Sequence, residues 1–405
     1  MTGPDLKDPD LYLAGMPYDT LATLRRSSPV YWNPETDGAG FWAVLRHADI
    51  VEVSRQPALF SSAHANGGHR IFNENEVGLT GAGESAIGVP FISIDPPVHA
   101  GWRKIVAPAV APNRLDGIEA RITERAAALI AGMPRGEPVD LMAALSAPLP
   151  LLTLAELLGL PLDTWPRLFA WTNVFVGEDD PEFRQSPEAT GAALADFFAF
   201  AQDLFQRRRA DPGDDLASLL ANAEIDGVPV TFRDFVGNLI LVLVGGNETT
   251  RNSISHTVIA FSQDPDEWAR VRADPAILAT GAAEMVRHAT PVIHMRRTAT
   301  RDTELGGQRI AAGDKVVLWY PSGNRDPAVF DDPDRFDLTR KTAHQHVGFG
   351  AGQHVCVGSR LAEMQLRVVF RILARGVASF EIVQPPRRIR SNFINGLKDL
   401  HVILT

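Results

Sequence analysis

The chain contains very little cysteine, with Cys356 as the single example among 405 residues. One cysteine cannot form an internal disulfide, so the fold cannot depend on such cross-links. The N-terminus also lacks a basic start and an apolar run, the features of a secretory signal or a membrane anchor. These absences predict a cytoplasmic protein without a membrane anchor.

The sequence also lacks an excess of positive charge. Its 39 Lys and Arg residues are outnumbered by 49 Asp and Glu residues, which gives a formal net charge of −10. This balance disfavours the phosphate backbone of nucleic acids, so no nucleic-acid binding is expected. With 45% hydrophobic and 22% charged residues, the composition is typical of a globular protein with a large core.

No linker, low-complexity run or internal repeat divides the chain. We therefore expect one domain over residues 1–405, with a smaller β-containing part near 1–90 and 292–320 and helices elsewhere. Apolar periodicity predicts helices near 97–110, 113–133, 140–158, 163–177 and 187–209. A majority of helices with small segregated sheets indicates a mainly α fold of the α+β class.

One hairpin is predicted from alternating apolar and polar residues. It extends from Glu304 to Pro321, with its turn at Gly313 and Asp314. The C-terminal residues 380–405 are also predicted to be extended.

Cys356 lies in a glycine-rich segment directly before an amphipathic stretch. Residues 349–358 read Phe-Gly-Ala-Gly-Gln-His-Val-Cys-Val-Gly, and apolar residues at helical spacing follow. A lone cysteine is more often a small buried apolar side chain than a ligand. Here, however, the glycines allow a bulky planar group to approach the backbone, and a helix N-terminus favours a thiolate. The segment therefore predicts a sulfur that holds a metal.

Thr231 and Asp234 resemble a capping box and predict the start of the longest helix, residues 231–262. The middle of this helix is unusual. Gly245 and Gly246 precede the acid Glu248 and the hydroxyl of Thr249. Each glycine inside a helix costs about 1 kcal/mol relative to alanine, so the pair indicates that space is needed. A notch beside these polar groups suits a small ligand such as dioxygen. Close helix packing at the glycines, with Thr249 bonded back to a carbonyl, explains the same residues equally well.

Together these segments resemble the cytochrome P-450 superfamily, the heme-thiolate monooxygenases. Residues 349–358 match the heme-binding pattern F-x-x-G-x-H-x-C-x-G, and residues 245–249 match the oxygen-activation pattern [Ala/Gly]-Gly-x-[Asp/Glu]-Thr. The resemblance extends from about Phe91 to the C-terminus. It implies about a dozen helices in one domain, heme b as cofactor and Cys356 as the ligand of the iron.

The resemblance also assigns roles to residues around the heme. Thr249 would contact dioxygen, and Glu248 would relay protons to it. The positions that match cofactor-binding residues of the family are His99, Arg103, Arg296, Phe349, His354, Cys356, Gly358 and Gly245. The two histidines and two arginines would bind the heme propionates, with Arg297 as a competitor for the role of Arg296.

A third sequence pattern indicates a structural role rather than a catalytic one. Glu284 and Arg287 are three residues apart, so they share a helix face, although surface pairs have the same spacing. The resemblance implies that Glu284, Arg287 and Arg335 form a buried cluster that steadies the heme-binding core.

The resemblance also implies a substrate pocket. The family positions that line it correspond to Val242, Pro291, Val292, His294, Phe393 and Ile394. Because these side chains are chiefly apolar, a small hydrophobic substrate is expected, with His294 meeting a polar group of the ligand. The stretches 63–89 and 178–187 are expected to gate entry.

The implied reaction is the insertion of one oxygen atom of O2 into a steroid, terpenoid, lipid or secondary metabolite. No flavin or iron–sulfur domain is visible, so electrons are expected from a ferredoxin and its reductase, and the protein is expected to be a monomer. The helix after Cys356 has a basic face, made of Arg360, Arg367, Arg371 and Arg375. On a single helix such a face is more often simply solvated, but beside a heme it could dock that donor.

Three alternatives stay open. One is a heme-thiolate peroxygenase that uses hydrogen peroxide, which would predict loss of the acid–alcohol pair that Glu248 and Thr249 form here. The second is a heme protein that binds ligands without turnover. The third is a zinc or non-heme metal site, whose donors would be His344, His346, His354 and Cys356.

Overall fold

The computed structural model of the chain describes residues 3–36, 38–72, 87–177, 179–183 and 186–405. Of the stretches predicted to gate entry, residues 73–86, 178 and 184–185 lie outside the described residues.

Helices dominate the part of the chain that the structure describes. They are α1 (Tyr18–Ser27), α2 (His47–Ser54), α3 (Val98–Val106), α4 (Pro112–Ala131), α5 (Pro148–Leu157), α6 (Trp165–Val176), α7 (Pro187–Ala210), α8 (Leu216–Ala221), α9 (Phe232–Gln263), α10 (Pro265–Ala273), α11 (Leu278–Ala289), α12 (Tyr320–Gly323) and α13 (Ser359–Gly376).

The strands are short. They are β1 (Val30–Asn33), β2 (Phe41–Val44), β3 (Phe60–Ser61), β4 (Pro138–Asp140), β5 (Glu224–Ile225), β6 (Val228–Pro229), β7 (His294–Ala299), β8 (Thr303–Leu305), β9 (Gln308–Ile310), β10 (Lys315–Trp319), β11 (Phe380–Ile382) and β12 (His401–Leu404). The predicted fold class, mainly α with small separate sheets, is confirmed. The assignment of the whole chain to one domain stays a prediction.

Helix α9 is the long helix that the sequence predicts. Thr231 caps it, since its hydroxyl accepts from the N–H of Asp234 and the Asp234 carboxylate accepts from the N–H of Thr231. The helix contains 32 residues, which at 1.5 Å per residue spans roughly 48 Å. Helices α5, α6, α11 and α13 all pack against it. Residues in the middle of α9 therefore reach the centre of the molecule.

The largest sheet has the strand order β1-β2-β10-β7-β3. Strand β10 runs parallel to β2, with Val316 opposite Trp42, and antiparallel to β7, with Val317 opposite Arg296. All five residues of β10 are buried, as expected for a central strand that has a paired strand on each side.

The predicted hairpin is therefore wrong in its pairing. Strand β9 pairs with β8 instead, around the turn at Gly306 and Gly307. Both glycines have positive φ angles, +55° and +79°, which suits a tight hairpin turn. Strand β10 does not pair with β9 as predicted, because its apolar residues are buried in the larger sheet.

The remaining sheets are smaller. One contains β11, β12 and β4, and β5 pairs with β6 alone. Among the described residues, no helix has both the length and the apolar character that crossing a bilayer requires.

Candidate active site

Cys356 lies in the loop before α13, and its side chain lines a cavity that extends to α9. The N–H of Cys356 donates to the carbonyl of Phe349 at 2.8 Å, which closes the loop. Gly350 and Gly352 have φ angles of +72° and +67°. A Cβ atom at Gly352 would lie 2.2 Å from the carbonyl oxygen of Ser54, so this position needs glycine for close approach to α2.

The sulfur is exposed to the cavity, although protein surrounds it on its other sides. This enclosure raises the pKa of the Cys356 thiol, while the N–H of Gly358 and the guanidinium of Arg103 lower it. Both groups therefore favour the thiolate, which is the form that binds a metal.

Two cationic groups, the guanidinium groups of Arg103 and Arg297, line the same cavity. The imidazole rings of His99 and His354 lie beside them. The ring centroids of His99 and His354 lie 4.1 Å apart, and Nε2 of His354 is buried without a hydrogen-bond partner in the described part of the chain. Burial and the neighbouring cations, above all Arg297, lower the pKa of His354 to about 2.

The two guanidinium groups of this cavity fit a dianionic cofactor. Arg103 donates to the carbonyl of Val355 at 2.6 Å, and Arg297 donates to the carbonyl of Arg296 at 2.7 Å. Within the described ranges, neither guanidinium forms an ion pair with a carboxylate. Two guanidinium groups in a largely apolar cavity favour a ligand that brings two carboxylates, as heme b does.

The structure corrects the assignment of Arg296. Side chains alternate along a strand, and on β7 Met295 and Arg297 line the cavity. Arg296 lies on the opposite face, where its Nη2 donates to the carbonyl of Asn66 at 3.3 Å. Thr298 shares that face and bonds the same carbonyl at 2.6 Å. Arg297, the competitor, therefore occupies the cavity position.

The two glycines of α9 have different environments. A Cβ atom at Gly245 would meet nothing within 4 Å, so this residue opens α9 to the cavity. A Cβ atom at Gly246 would lie 2.6 Å from Cδ2 of Leu154, so this residue lets α5 pack closely. Open space is thus found at Gly245 and close helix packing at Gly246, while the binding of dioxygen in the notch stays a prediction.

Thr249 lines the cavity, and its hydroxyl donates to the carbonyl of Gly245 at 2.6 Å. Glu248 is fully buried and does not line this cavity. Its carboxylate accepts from Nη2 of Arg251 and, at 3.2 Å, from Nδ2 of Asn247. Burial raises the pKa of Glu248, and Arg251 lowers it. The catalytic roles of both residues stay predictions.

The predicted structural cluster is present around Glu284, but one of its arginines differs from the prediction. Arg287 donates to both carboxylate oxygens, at 2.6 and 2.7 Å, and both side chains are completely buried. The second guanidinium is that of Arg340, at 3.2 Å. Arg335 is exposed and contributes only its carbonyl, because the neighbouring Phe336 is buried and turns Arg335 outward.

Three of the predicted pocket residues, Val242, Pro291 and Val292, line the cavity. Leu241 and Met295 extend this apolar wall, and Met295 was not predicted. Met295 could have been found from strand alternation with Arg297. The whole cavity measures about 1550 Å³ when the part open to solvent is included.

Three other predicted pocket residues, His294, Phe393 and Ile394, do not line the cavity. His294 is buried with both ring nitrogens occupied: Nδ1 bonds the carbonyl of Asn392 at 3.0 Å, and Nε2 accepts from the N–H of Ile71 at 3.3 Å. Its position two residues from Arg296 places it on the outer face of β7. Ile394 forms a β-bridge with Val292, so it supports the wall from behind.

The alternative metal site is not assembled. His344 is exposed and bonds the carbonyl of Lys341, while Nδ1 of His346 accepts from the N–H of Gly348. In the described part of the chain, no group of three or more His, Cys, Asp or Glu side chains could hold a metal ion.

The basic residues after Cys356 have mixed environments. Arg371 lies 3.2 Å from Glu119, and Arg367 lies 3.8 Å from Glu363. Arg360 and Arg375 are exposed. Docking of an electron donor on this face stays a prediction.

Comparison with known proteins places this geometry in context. The family model for cytochrome P-450 matches residues 277–396. Linalool 8-monooxygenase from Pseudomonas putida is 68% identical over 404 residues, covering 100% of this chain and 99% of that protein. Steroid C26-monooxygenase from Rhodococcus jostii is 35% identical and covers 99% and 84%. A cytochrome P-450 structure from Mycobacterium marinum, in complex with pseudoionone, has 34% identity and a TM-score of 0.89, with 98% of each chain covered.

Proposed function

Since this chain belongs to the cytochrome P-450 family and is a heme b monooxygenase, we propose that its substrate is linalool or a close acyclic terpenoid, oxidised at carbon 8. The observation that carries this proposal is the 68% identity with linalool 8-monooxygenase along the whole chain. The relatives named for steroids and methyl-branched lipids share only 35% and 38%.

The cavity wall supports a hydrocarbon substrate. Apolar residues make up much of its lining, among them Leu241, Val242, Pro291, Val292 and Met295. Such a wall positions a branched hydrocarbon chain by shape and by exclusion of water rather than by hydrogen bonds. A branched terpenoid chain matches this chemistry.

Several side chains would hold the cofactor. Cys356 would bind the iron, and the carboxylates would meet Arg103, Arg297, His99 and His354. The heme held in this way supplies the binding and activation of dioxygen. Because the Thr249 hydroxyl donates to the carbonyl of Gly245, its lone pairs can accept a hydrogen bond from the cavity. In this proposal Glu248 supplies protons to Thr249.

The electron donor is proposed to be a separate ferredoxin-type protein. The exposed Arg360 and Arg375 lie on α13, the helix that follows Cys356, and would meet acidic groups of that donor.

The proposal is tested with purified holoenzyme, a ferredoxin, its reductase and NADH. Linalool should shift the heme spectrum and yield the 8-hydroxylated product by mass spectrometry. Val242→Phe should weaken linalool binding about tenfold, because it fills the apolar cavity. Val228→Phe, on an exposed strand, is the matched control and should leave binding unchanged.

Two results would contradict the proposal. A steroid that binds and turns over better than linalool would refute the substrate. Product formed with hydrogen peroxide alone, and none with the electron donors, would favour a peroxygenase.

A further inference from the structure

A buried ion pair lies behind the cavity wall of α9. The side chains of Glu248 and Arg251 are only 1% and 4% exposed, and they are three residues apart on the helix. Thr249 and Thr250 line the cavity, whereas Glu248 and Arg251 do not. The pair therefore lies next to the cavity residues but faces away from them.

Helix α6 covers this pair. Asn247 donates through Nδ2 both to the Glu248 carboxylate and, at 3.1 Å, to the hydroxyl of Thr172. The guanidinium carbon of Arg251 lies 5.7 Å from the ring centroid of Phe169. An amide, a hydroxyl and an aromatic ring thus enclose the two charges between α6 and α9.

Two atoms of this cluster have unmet hydrogen-bonding capacity. Nε of Arg251 and Oδ1 of Asn247 are buried, and neither has a hydrogen-bond partner among the residues that the structure describes. One is a donor and the other is an acceptor. Buried polar atoms are nearly always paired, often with ordered water, which can bond both kinds of group. The cluster is therefore suited to holding water beside the Glu248 carboxylate.

The energetic cost of burying Glu248 and Arg251 also indicates that the pair does more than stabilise the fold. A buried ion pair is often no more stable than apolar residues of the same size, because both charges lose their hydration. Here the desolvation is combined with two unsatisfied atoms, which adds to the cost.

We propose that Arg251 is a positioning residue for the monooxygenation: it holds the ionised Glu248 on the α6 side of α9, where water bound by Asn247 and Thr172 delivers protons. This rests on the role proposed above for Glu248. A proton from solvent converts the carboxylate to the neutral acid, which no longer pairs with Arg251. The acid then donates that proton to the hydroxyl oxygen of Thr249 while the hydroxyl releases its own proton towards the cavity, and the carboxylate pairs with Arg251 again.

The charges around Glu248 make this arrangement testable. Of the ionisable groups on α9 and on the helices packed against it, only Arg251 changes the pKa of Glu248, and it opposes the increase that burial causes. Facing the pair from α6 are Phe169 and Thr172, which carry no charge. Removing Arg251 should therefore raise the pKa of Glu248 further and leave the acid neutral at neutral pH.

The first experiment measures the ionisation of Glu248 by infrared difference spectroscopy of the holoenzyme across a pH series. Arg251→Met should show a protonated carboxyl band at neutral pH that disappears when Glu248→Gln is added. Arg251→Lys should restore the ionised form. This measurement needs no substrate, so it does not depend on linalool being the substrate. An unchanged carboxyl band in Arg251→Met would overturn the proposal.

The second experiment measures turnover with whichever substrate the enzyme oxidises. In Arg251→Met the rate should fall about tenfold or more, and the acidic limb of its pH profile should move to higher pH, since the raised pKa delays ionisation. Arg270→Met is the matched control, because Arg270 also pairs with a glutamate three residues away. Its pH profile should stay that of the unmodified enzyme.

Thr172→Val provides an independent test of the proposal if Arg251→Met does not fold. This variant removes only the hydroxyl that receives the Asn247 amide. It should lower the product formed per NADH and increase the solvent deuterium isotope effect on turnover. If both quantities match those of the unmodified enzyme, water at Asn247 does not deliver the protons and the proposal fails.

Discussion

Two groups of ion pairs fix two parts of this molecule, and they differ in how completely the protein encloses them. The first centres on Glu284 of α11, where Glu284 and Arg287 have no exposed side-chain surface. Arg287 also donates to the carbonyls of Asn324 and Pro333, both at 2.7 Å. Every charged atom of this pair is thus bonded inside the protein.

The second group joins the segment after α6 to the C-terminal segment. Lys398 lies 2.8 Å from Asp180 and 2.9 Å from Glu182, and Arg387 lies 3.0 Å from Glu182. The Asp180 side chain is enclosed, but those of Glu182 and Arg387 are 55% and 59% exposed. Water and salt can replace most of these partners.

The comparison shows that similar ion pairs can contribute very differently to the stability of the fold. Breaking the enclosed group leaves a charge without water or a partner, whereas breaking the open group leaves charges that water can reach. The enclosed group is therefore expected to set the stability of the helical core. The open group is expected to set how firmly two surface segments are joined.

The largest effect is expected for Arg287→Met. It leaves Glu284 buried with Arg340 as its remaining cationic partner among the described residues, which should lower the free energy of unfolding by about 3–5 kcal/mol. Urea unfolding followed by circular dichroism measures this change. Arg309→Met is the control, since its pair with Asp302 is highly exposed and should contribute almost nothing. Equal losses for the two variants would contradict the contrast between enclosed and open pairs.

A smaller effect separates Arg340 from Arg335. Arg340→Ala removes a charged hydrogen bond to Glu284 and should cost about 2 kcal/mol. Arg335→Ala should change stability by less than about 0.5 kcal/mol, because its carbonyl, which the substitution keeps, makes its contacts. Thermal unfolding of both variants tests this assignment. A larger loss for Arg335→Ala would restore the interpretation based on sequence.

The smallest effect is expected for Glu182→Gln in the open group, since water already reaches the Glu182 carboxylate. The loss of stability should be small at low salt and should shrink further as salt is added, because ions screen exposed charges. Urea unfolding at low and high salt measures the difference. A loss that does not depend on salt would show that this group behaves like the enclosed one.

Local signals predicted much of the candidate site. The spacing of three residues brought Glu284 and Arg287 together, and the capping box at Thr231 and Asp234 placed the start of α9. Such features depend on contacts within one helix turn, which the order of residues determines directly.

Errors arose where a choice depended on distant parts of the chain. Arg296 and Arg297 are adjacent, and only the packing of β7 in its sheet decides which one faces the cavity. The same packing turned His294 away from the cavity.

The order of residues was sufficient to predict the main features of this protein: a cysteine in a glycine-rich loop, a long helix that contains glycines, and a mainly α fold. These follow from local spacing and from residue types that few other roles require. Three-dimensional packing was needed to establish that Arg340 joins Glu284, that β10 pairs with β2 and β7 rather than in its predicted hairpin, and that Arg251 pairs with Glu248 beneath α6. Each of those outcomes depends on which surfaces become buried against each other, and burial is a property of the whole fold.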